Sequence, residues 1–93
     1  MSVLIDTPLW PGPHDRLFAH LVSDHSFQEL HAFARALGLS PRAFDRDHYD
    51  VPEFLHARAL ELGARHVGSR ELVTRLRASG LRRPKAARAR ERV

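Results

Sequence analysis

The sequence predicts a single small α/β domain, a three- to four-stranded, largely parallel sheet covered by about three helices. Three observations lead there. The chain has 93 residues, a length suited to one domain with one thin core. Short β-branched or alternating runs are followed by segments of 3.6-residue apolar periodicity that carry start and stop signals. The two kinds alternate as strand, strand, helix, strand, helix, strand, helix, the order of helical crossovers on a parallel sheet.

Each element follows from local chemistry. Residues 3–6, VLID, form an aliphatic run that TPLWPGP interrupts with three prolines, so a short strand enters a long loop. In RLFAHLVSD, residues 16–24, Phe18, His20 and Val22 alternate with Ala19, Leu21 and Ser23, which suits a second strand. Ser26 and Glu29 then spell a capping box, and the first helix runs to Gly38. Its inner face is Phe27, Leu30, Phe33, Ala34 and Leu37. AFDRDHYDV reads as a short strand opening into a polar loop. Pro52 suits the first turn of a second helix, with Leu55, Ala59 and Leu62 inward and Gly63 at its end. ARHV reads as a last strand. Ser69 is expected to cap a third helix on Leu72, Val73 and Leu76, closed by Gly80.

Composition removes several classes of function. The chain has no cysteine, which excludes disulfides, thiol nucleophiles and thiolate metal sites; a metal would need imidazole, carboxylate or water. No apolar run approaches the ~18 residues of a membrane span, and the start MSVLIDTPLW lacks the basic region of a signal peptide. A cytoplasmic location is the resulting expectation. Residues 82–93 carry six Lys/Arg and one Glu, or +5, while the other 81 residues carry nine basic and ten acidic side chains, or −1. The reading is therefore a nearly neutral domain over residues 1–81 and a basic, disordered tail over residues 82–93. Such a tail suits nonspecific contact with nucleic-acid phosphates.

Seven histidines raise the question of a metal. His31 lies beside the apolar face of the first helix, where a boundary histidine with one bonded nitrogen is the plainer role. His56 and His66 have no acidic residue at a useful offset. His20 shares strand parity with Asp24, and His48 shares it with Asp50. In parallel α/β sheets, ligands gather outside the carboxyl ends of strands, and both pairs fall at expected strand-to-helix junctions. Asp6, at the end of the first strand, falls similarly. Two histidines with one or two carboxylates suit a divalent transition metal that keeps a water position open. His20, Asp24, His48 and Asp50 are the candidate ligands, and Tyr49 joins them as a candidate catalytic residue. The same residues have simpler uses: Asp50 as a cap, Asp24 near a helix's positive end, and Asp45 and Asp47 as solvated charges.

HLVSD (20–24), ELHAFARALGL (29–39), HYD (48–50) and ALELGARHVGSREL (59–72) resemble an uncharacterised small-domain family of bacteria and phages, domain of unknown function 4031. Its blocks HLVSD, ELHxFA and HYD fall on His20, Asp24, Glu29, His31, His48, Tyr49 and Asp50. The resemblance implies a shared fold and a shared site, but no activity. The family's tryptophan-phenylalanine-glutamine stretch before HYD is replaced by AFDRD, which retains only Phe44. VLIDT also resembles the opening of PIN-type nucleases, although the chain is short for that fold. Two functions follow as expectations. One is a metal-dependent hydrolase of a phosphoester or nucleic acid, working through the His/Asp cluster. The other is a non-catalytic binding module whose basic tail attracts nucleic acid. Either is compatible with a homodimer, since a domain this small has a limited core.

Overall fold

The structure, a computed structural model, describes residues 2–83; residues 84–93, most of the expected tail, lie outside them. The strands are β1 (Val3–Ile5), β2 (Trp10–Pro11), β3 (Leu17–Ser23), β4 (Phe44–Asp45), β5 (His48–Pro52) and β6 (Arg65–His66). The helices are α1 (Phe27–Leu37), α2 (His56–Glu61) and α3 (Ser69–Ser79). The sheet order is β4-β5-β3-β1-β6, with β2 also paired to β3.

The α/β class holds, but the sheet is mostly antiparallel rather than largely parallel. Among the described residues only β1 and β6 pair in parallel; β1–β3, β2–β3, β3–β5 and β4–β5 are all antiparallel. The physical reason lies in two chain reversals. The proline-rich stretch after β1 folds back through β2 and a 3-10 turn at Pro13–Asp15, so β3 returns alongside β1. The supposed polar loop at 45–48 is a hairpin, with Phe44 opposite Tyr49 and Asp45 opposite His48. Its turn is Arg46-Asp47, with Arg46 at φ 60°, a conformation that sequences normally assign to glycine or asparagine. Helical crossovers do exist, but they join non-neighbours. β3 reaches β4 through α1 with β5 between them, and β5 reaches β6 through α2 with β3 and β1 between them.

The helices divide the sheet's two faces. Ile5, Ala19, Leu21, Tyr49 and Val51 pack with Leu30, Ala34 and Leu37 of α1 and Ala59 of α2. On the opposite face, Leu4, Val22 and Val67 meet Leu72 and Leu76 of α3. Period-2 alternation in β3 is what allows both cores, since Leu21 and Val22 point opposite ways.

Local details depart from expectation in three places. Ser26 accepts from the Glu29 amide as a cap should, at 3.0 Å, but Glu29 does not reach back directly. Its carboxylate accepts from the Ser23 hydroxyl at 2.6 Å, and that hydroxyl accepts from the Ser26 and His25 amides. Pro52 ends β5 rather than opening a long helix; a 3-10 turn at Glu53–Leu55 precedes the short α2. Gly68, not Ser69, occupies the N-cap of α3.

Leu21 is fully buried while Leu17, on the same strand, is 39% exposed. Leu21→Ala is expected to cost about 2–5 kcal/mol of folding stability, and Leu17→Ala less than about 0.5 kcal/mol. Urea unfolding of the two variants checks the assignment; equal losses would contradict the burial of the middle of β3 and the exposure of its start.

Candidate functional site

α3 covers only part of its face of the sheet. Beyond Leu4 and Val22, that face carries Asp6, His20, His48 and Asp50, all of the same pleat parity as those two apolar residues. His20 and Asp50 are direct cross-strand partners, so antiparallel pairing joins what 30 residues of chain separate. His20, His48 and Asp50 offer ligand atoms that all lie within 4.8 Å of one another. The cluster is therefore on a sheet face, across the middle of β3 and the start of β5, and not on a rim of strand carboxyl ends. Parallel-sheet geometry placed it wrongly; strand parity grouped His48 with Asp50 as found, but it also grouped His20 with Asp24, which is not in the cluster.

Each imidazole is held through its Nδ1 by a buried carboxylate. His20 Nδ1 lies 2.9 Å from Asp6 Oδ2, and His48 Nδ1 lies 2.9 Å from Asp47 Oδ1. Asp6 is wholly buried and Asp47 is 1% exposed. Asp6 also accepts from the His20 amide at 2.6 Å, from Trp10 Nε1 at 3.4 Å and from the Ser69 hydroxyl at 3.2 Å. Asp47 accepts from Arg82 Nη1 at 3.3 Å and from the Arg83 amide at 2.7 Å. His48 Nε2 stands 3.3 Å from Asp50 Oδ1, and the two imidazoles meet edge to face at 5.1 Å between centroids.

Burial by itself would raise both carboxyls, but their hydrogen bonds overcome it. For Asp6 these come from the His20 ring and amide and from Trp10, and its pKa is lowered. For Asp47 they come from His48 and the Arg83 amide, aided by the Arg82 charge, and its pKa is also lowered. Burial would lower His48, yet Asp50 and Asp47 together hold it above its ordinary value.

The other residues singled out from sequence lie elsewhere. Asp24 is not in the cluster: it accepts from the Ser2 amide at 2.8 Å and pairs with Arg75 of α3 at 3.1 Å. Tyr49 has the opposite parity from His48, so its ring is buried under α1, where its hydroxyl and His31 Nδ1 share a 2.6 Å hydrogen bond. Burial pushes that phenol's pKa up, against a smaller opposing effect from Arg35. Asp50 caps no helix. Asp47 is a buried partner rather than a solvated charge, and nothing in its local sequence separates it from exposed Asp45. His56 and His66, without acidic neighbours in sequence, bond to the Asp6 carbonyl at 3.0 Å and to Thr7 Oγ1 at 2.9 Å. Asp6 carried a sequence signal, a carboxylate closing a buried strand, and it proves to be the hub.

The fold and its site thus define a small mixed α/β domain with a His/Asp cluster on an incompletely covered sheet face. The chain belongs to the family described as a protein of unknown function (DUF4031), whose profile matches residues 3–79. Neither the curated proteins nor the solved structures include a significant match to it. No helix among the described residues is long and apolar enough to cross a membrane.

Two predictions follow from the hydrogen bonding and charge. Asp6→Ala leaves the His20 amide and the Ser69 hydroxyl without their acceptor and is expected to cost about 3 kcal/mol or more. Asp45→Ala, exposed in the same sheet, should cost less than about 0.5 kcal/mol; similar losses in chemical denaturation would refute Asp6 as the hub. The metal-free protein should also have a defined pH window of stability. The stabilisation tied to His48 is full below its ordinary value of 6.5 and is lost as pH rises through its higher folded value. That tied to Asp6 and Asp47 is full above 3.8 and is lost as pH falls through their lower folded values. Thermal unfolding in chelator should show a maximum between these limits, and His48→Ala should flatten its alkaline side.

Proposed function

We propose that His20, His48 and Asp50 bind a divalent transition metal, and that the domain is a metal-dependent hydrolase of an anionic phosphoester. One observation carries this reading. Both imidazoles have Nδ1 fixed by a buried carboxylate, the outer-sphere arrangement that orients histidine ligands and raises their basicity. The donor set, two imidazoles and a carboxylate, fits a transition metal with positions left for water or substrate. The 3.3 Å between His48 Nε2 and Asp50 Oδ1 is close to the spacing of adjacent ligands around an ion with bonds of about 2.0–2.1 Å. A bound ion would supply a water of lowered pKa.

The surroundings favour an anion. A cavity of about 470 Å³ lies against the cluster under α3, lined by Arg46, Arg70 and Arg82 together with Asp6 and Asp47. Three guanidiniums line it against two carboxylates, with Arg46 also paired to Asp45 outside it. These arginines would offset negative charge developing on phosphoryl oxygens. A non-catalytic binding module, with the tail attracting nucleic acid, has no need of two carboxylate-held imidazoles on one sheet face.

Titration of purified protein with Zn²⁺ or Co²⁺ should give one site per chain, lost in His20→Ala and in His48→Ala and retained in Asp24→Ala. Asp47→Asn should weaken binding roughly 10–100-fold. Calorimetry, with circular dichroism to verify folding, checks each value. No binding by the wild type, or undiminished binding by folded His48→Ala, would remove the metal centre.

A further inference from the structure

We infer that the substrate is a nucleotide, its phosphate seated in the cavity under α3 and its base stacked on Trp10 across the His/Asp cluster. This rests on the metal-centre reading for the bond that faces the ligands, while the two binding halves rest on separate observations.

The cluster stands at the junction of two cavities. A second one, of about 550 Å³, shares Trp10, His20, Arg46 and His48 with the first. The two differ in chemistry. The cavity under α3 sets three arginines beside an apolar wall of Val22, Leu72, Val73 and Leu76, and both of its carboxylates are already engaged by His20, His48 and Arg82. Arg70 makes no ion pair among the described residues, and Arg82 Nε is buried with no hydrogen-bond partner among them. The Arg70 guanidinium thus has donors in reserve for phosphate oxygens, and Arg82, paired with Asp47, adds positive charge to the wall. The second cavity is walled by Pro11, Pro13, Phe18 and Ala43, and it sets Asp45 and Asp50 against the single cation Arg46. It disfavours an anion and suits a flat, neutral ring.

Trp10 borders both cavities and is built to stay there. The indole is 43% exposed, too open for a core lid. Its Nε1 donates to buried Asp6, and its ring lies 5.0 Å from that of His20. The loop that follows is tightly specified. A Cβ on Gly12 would come within 2.4 Å of the Phe18 ring, and His14 and Asp15 adopt left-handed φ values of 62° and 55°. A close-packed loop with two non-glycine residues in that region is a costly way to hold an exposed tryptophan. An accessible indole beside a basic cavity roomy enough for a phosphate suits base stacking, which discriminates little among bases. The pairing of the two halves therefore selects for a nucleotide rather than for one particular base.

Trp10 is the chain's single tryptophan, so its fluorescence reports on this half of the site. Adenosine 5′-monophosphate, ribose 5-phosphate and inorganic phosphate are titrated with and without one equivalent of Zn²⁺, by fluorescence and calorimetry. The nucleotide should quench Trp10 and bind roughly 5- to 150-fold tighter than ribose 5-phosphate, the range that base–aromatic stacking supplies. Trp10→Ala should abolish that preference while binding of phosphate persists; Trp10→Phe should restore most of it. Arg70→Ala should weaken all three phosphate ligands alike. Equal affinity of wild type for adenosine 5′-monophosphate and ribose 5-phosphate, or a preference that survives Trp10→Ala, overturns the inference. Zn²⁺ binding without nucleotide preference sinks the nucleotide alone, whereas nucleotide preference without Zn²⁺ binding supports it and sinks the metal centre.

Discussion

The carboxylate of Asp6 is the constraint on which this molecule depends. It is wholly buried, and the structure builds acceptors and donors around it from nearly every element on that side of the sheet. Its oxygens take the His20 amide and ring, the Trp10 indole and the Ser69 hydroxyl. Its own amide donates to the His20 carbonyl, and its carbonyl meets His56. A charge this deeply buried is tolerable only when it is so fully bonded. Asp6 also interrupts the pairing that would otherwise run from β1 into β2. The oxygen that takes the His20 amide stands in for the ladder bond lost there, so one side chain closes a gap in the sheet and orients an imidazole.

Asp47 repeats the device at the hairpin turn. Its carboxylate fixes His48 and also ties down Arg82 and Arg83, which follow α3. Two buried anions on neighbouring segments thus present two imidazoles to one opening. That opening exists because α3 is set over Leu4 and Val22 and stops short of His20. A longer or differently placed helix would have covered this face with leucine. The uncovered stretch is instead polar, and its polar groups are nearly all satisfied by one another. Structure and site share the same hydrogen bonds, so a change at Asp6 or Asp47 must disturb both.

The helices were largely legible because their signals are local. Ser26 and Gly38 bound α1 where a cap and a left-handed terminator belong, and the residues expected on its inner face are the buried ones or their margin. Strand β3 was legible from alternation together with the helix start that follows it, and the same parity put His20 on one face, with Asp50 and His48 matching it from β5. The hairpin at Arg46-Asp47 was not legible. Its turn has neither Asn-Gly nor Asp-Gly, and a backbone held at φ 60° on arginine is stabilised by the distant contacts of Asp47 rather than by the turn residues. Missing that turn made HYD look like a loop and the sheet look parallel. Parity already set Tyr49 opposite His48 and Asp50, but which of the two faces α1 covers, and hence that Tyr49 is the buried one, was decided by the tertiary packing.

What the sequence determined by itself was therefore periodic and short-range: one α/β domain, both ends of α1 and the last turn of α3, the strand containing His20, and which side chains share a pleat face. Those properties depend on neighbours within a few residues, and the backbone's own geometry imposes them. Strand order, strand direction and the burial of Asp6 and Asp47 were decided only in three dimensions. They depend on which surfaces meet after the chain reverses, and no local window contains both partners of a pair such as Asp6 and Ser69 or Asp47 and Arg83. Whether a carboxylate is a solvated charge or a buried hub is settled by the donors that tertiary packing brings to it.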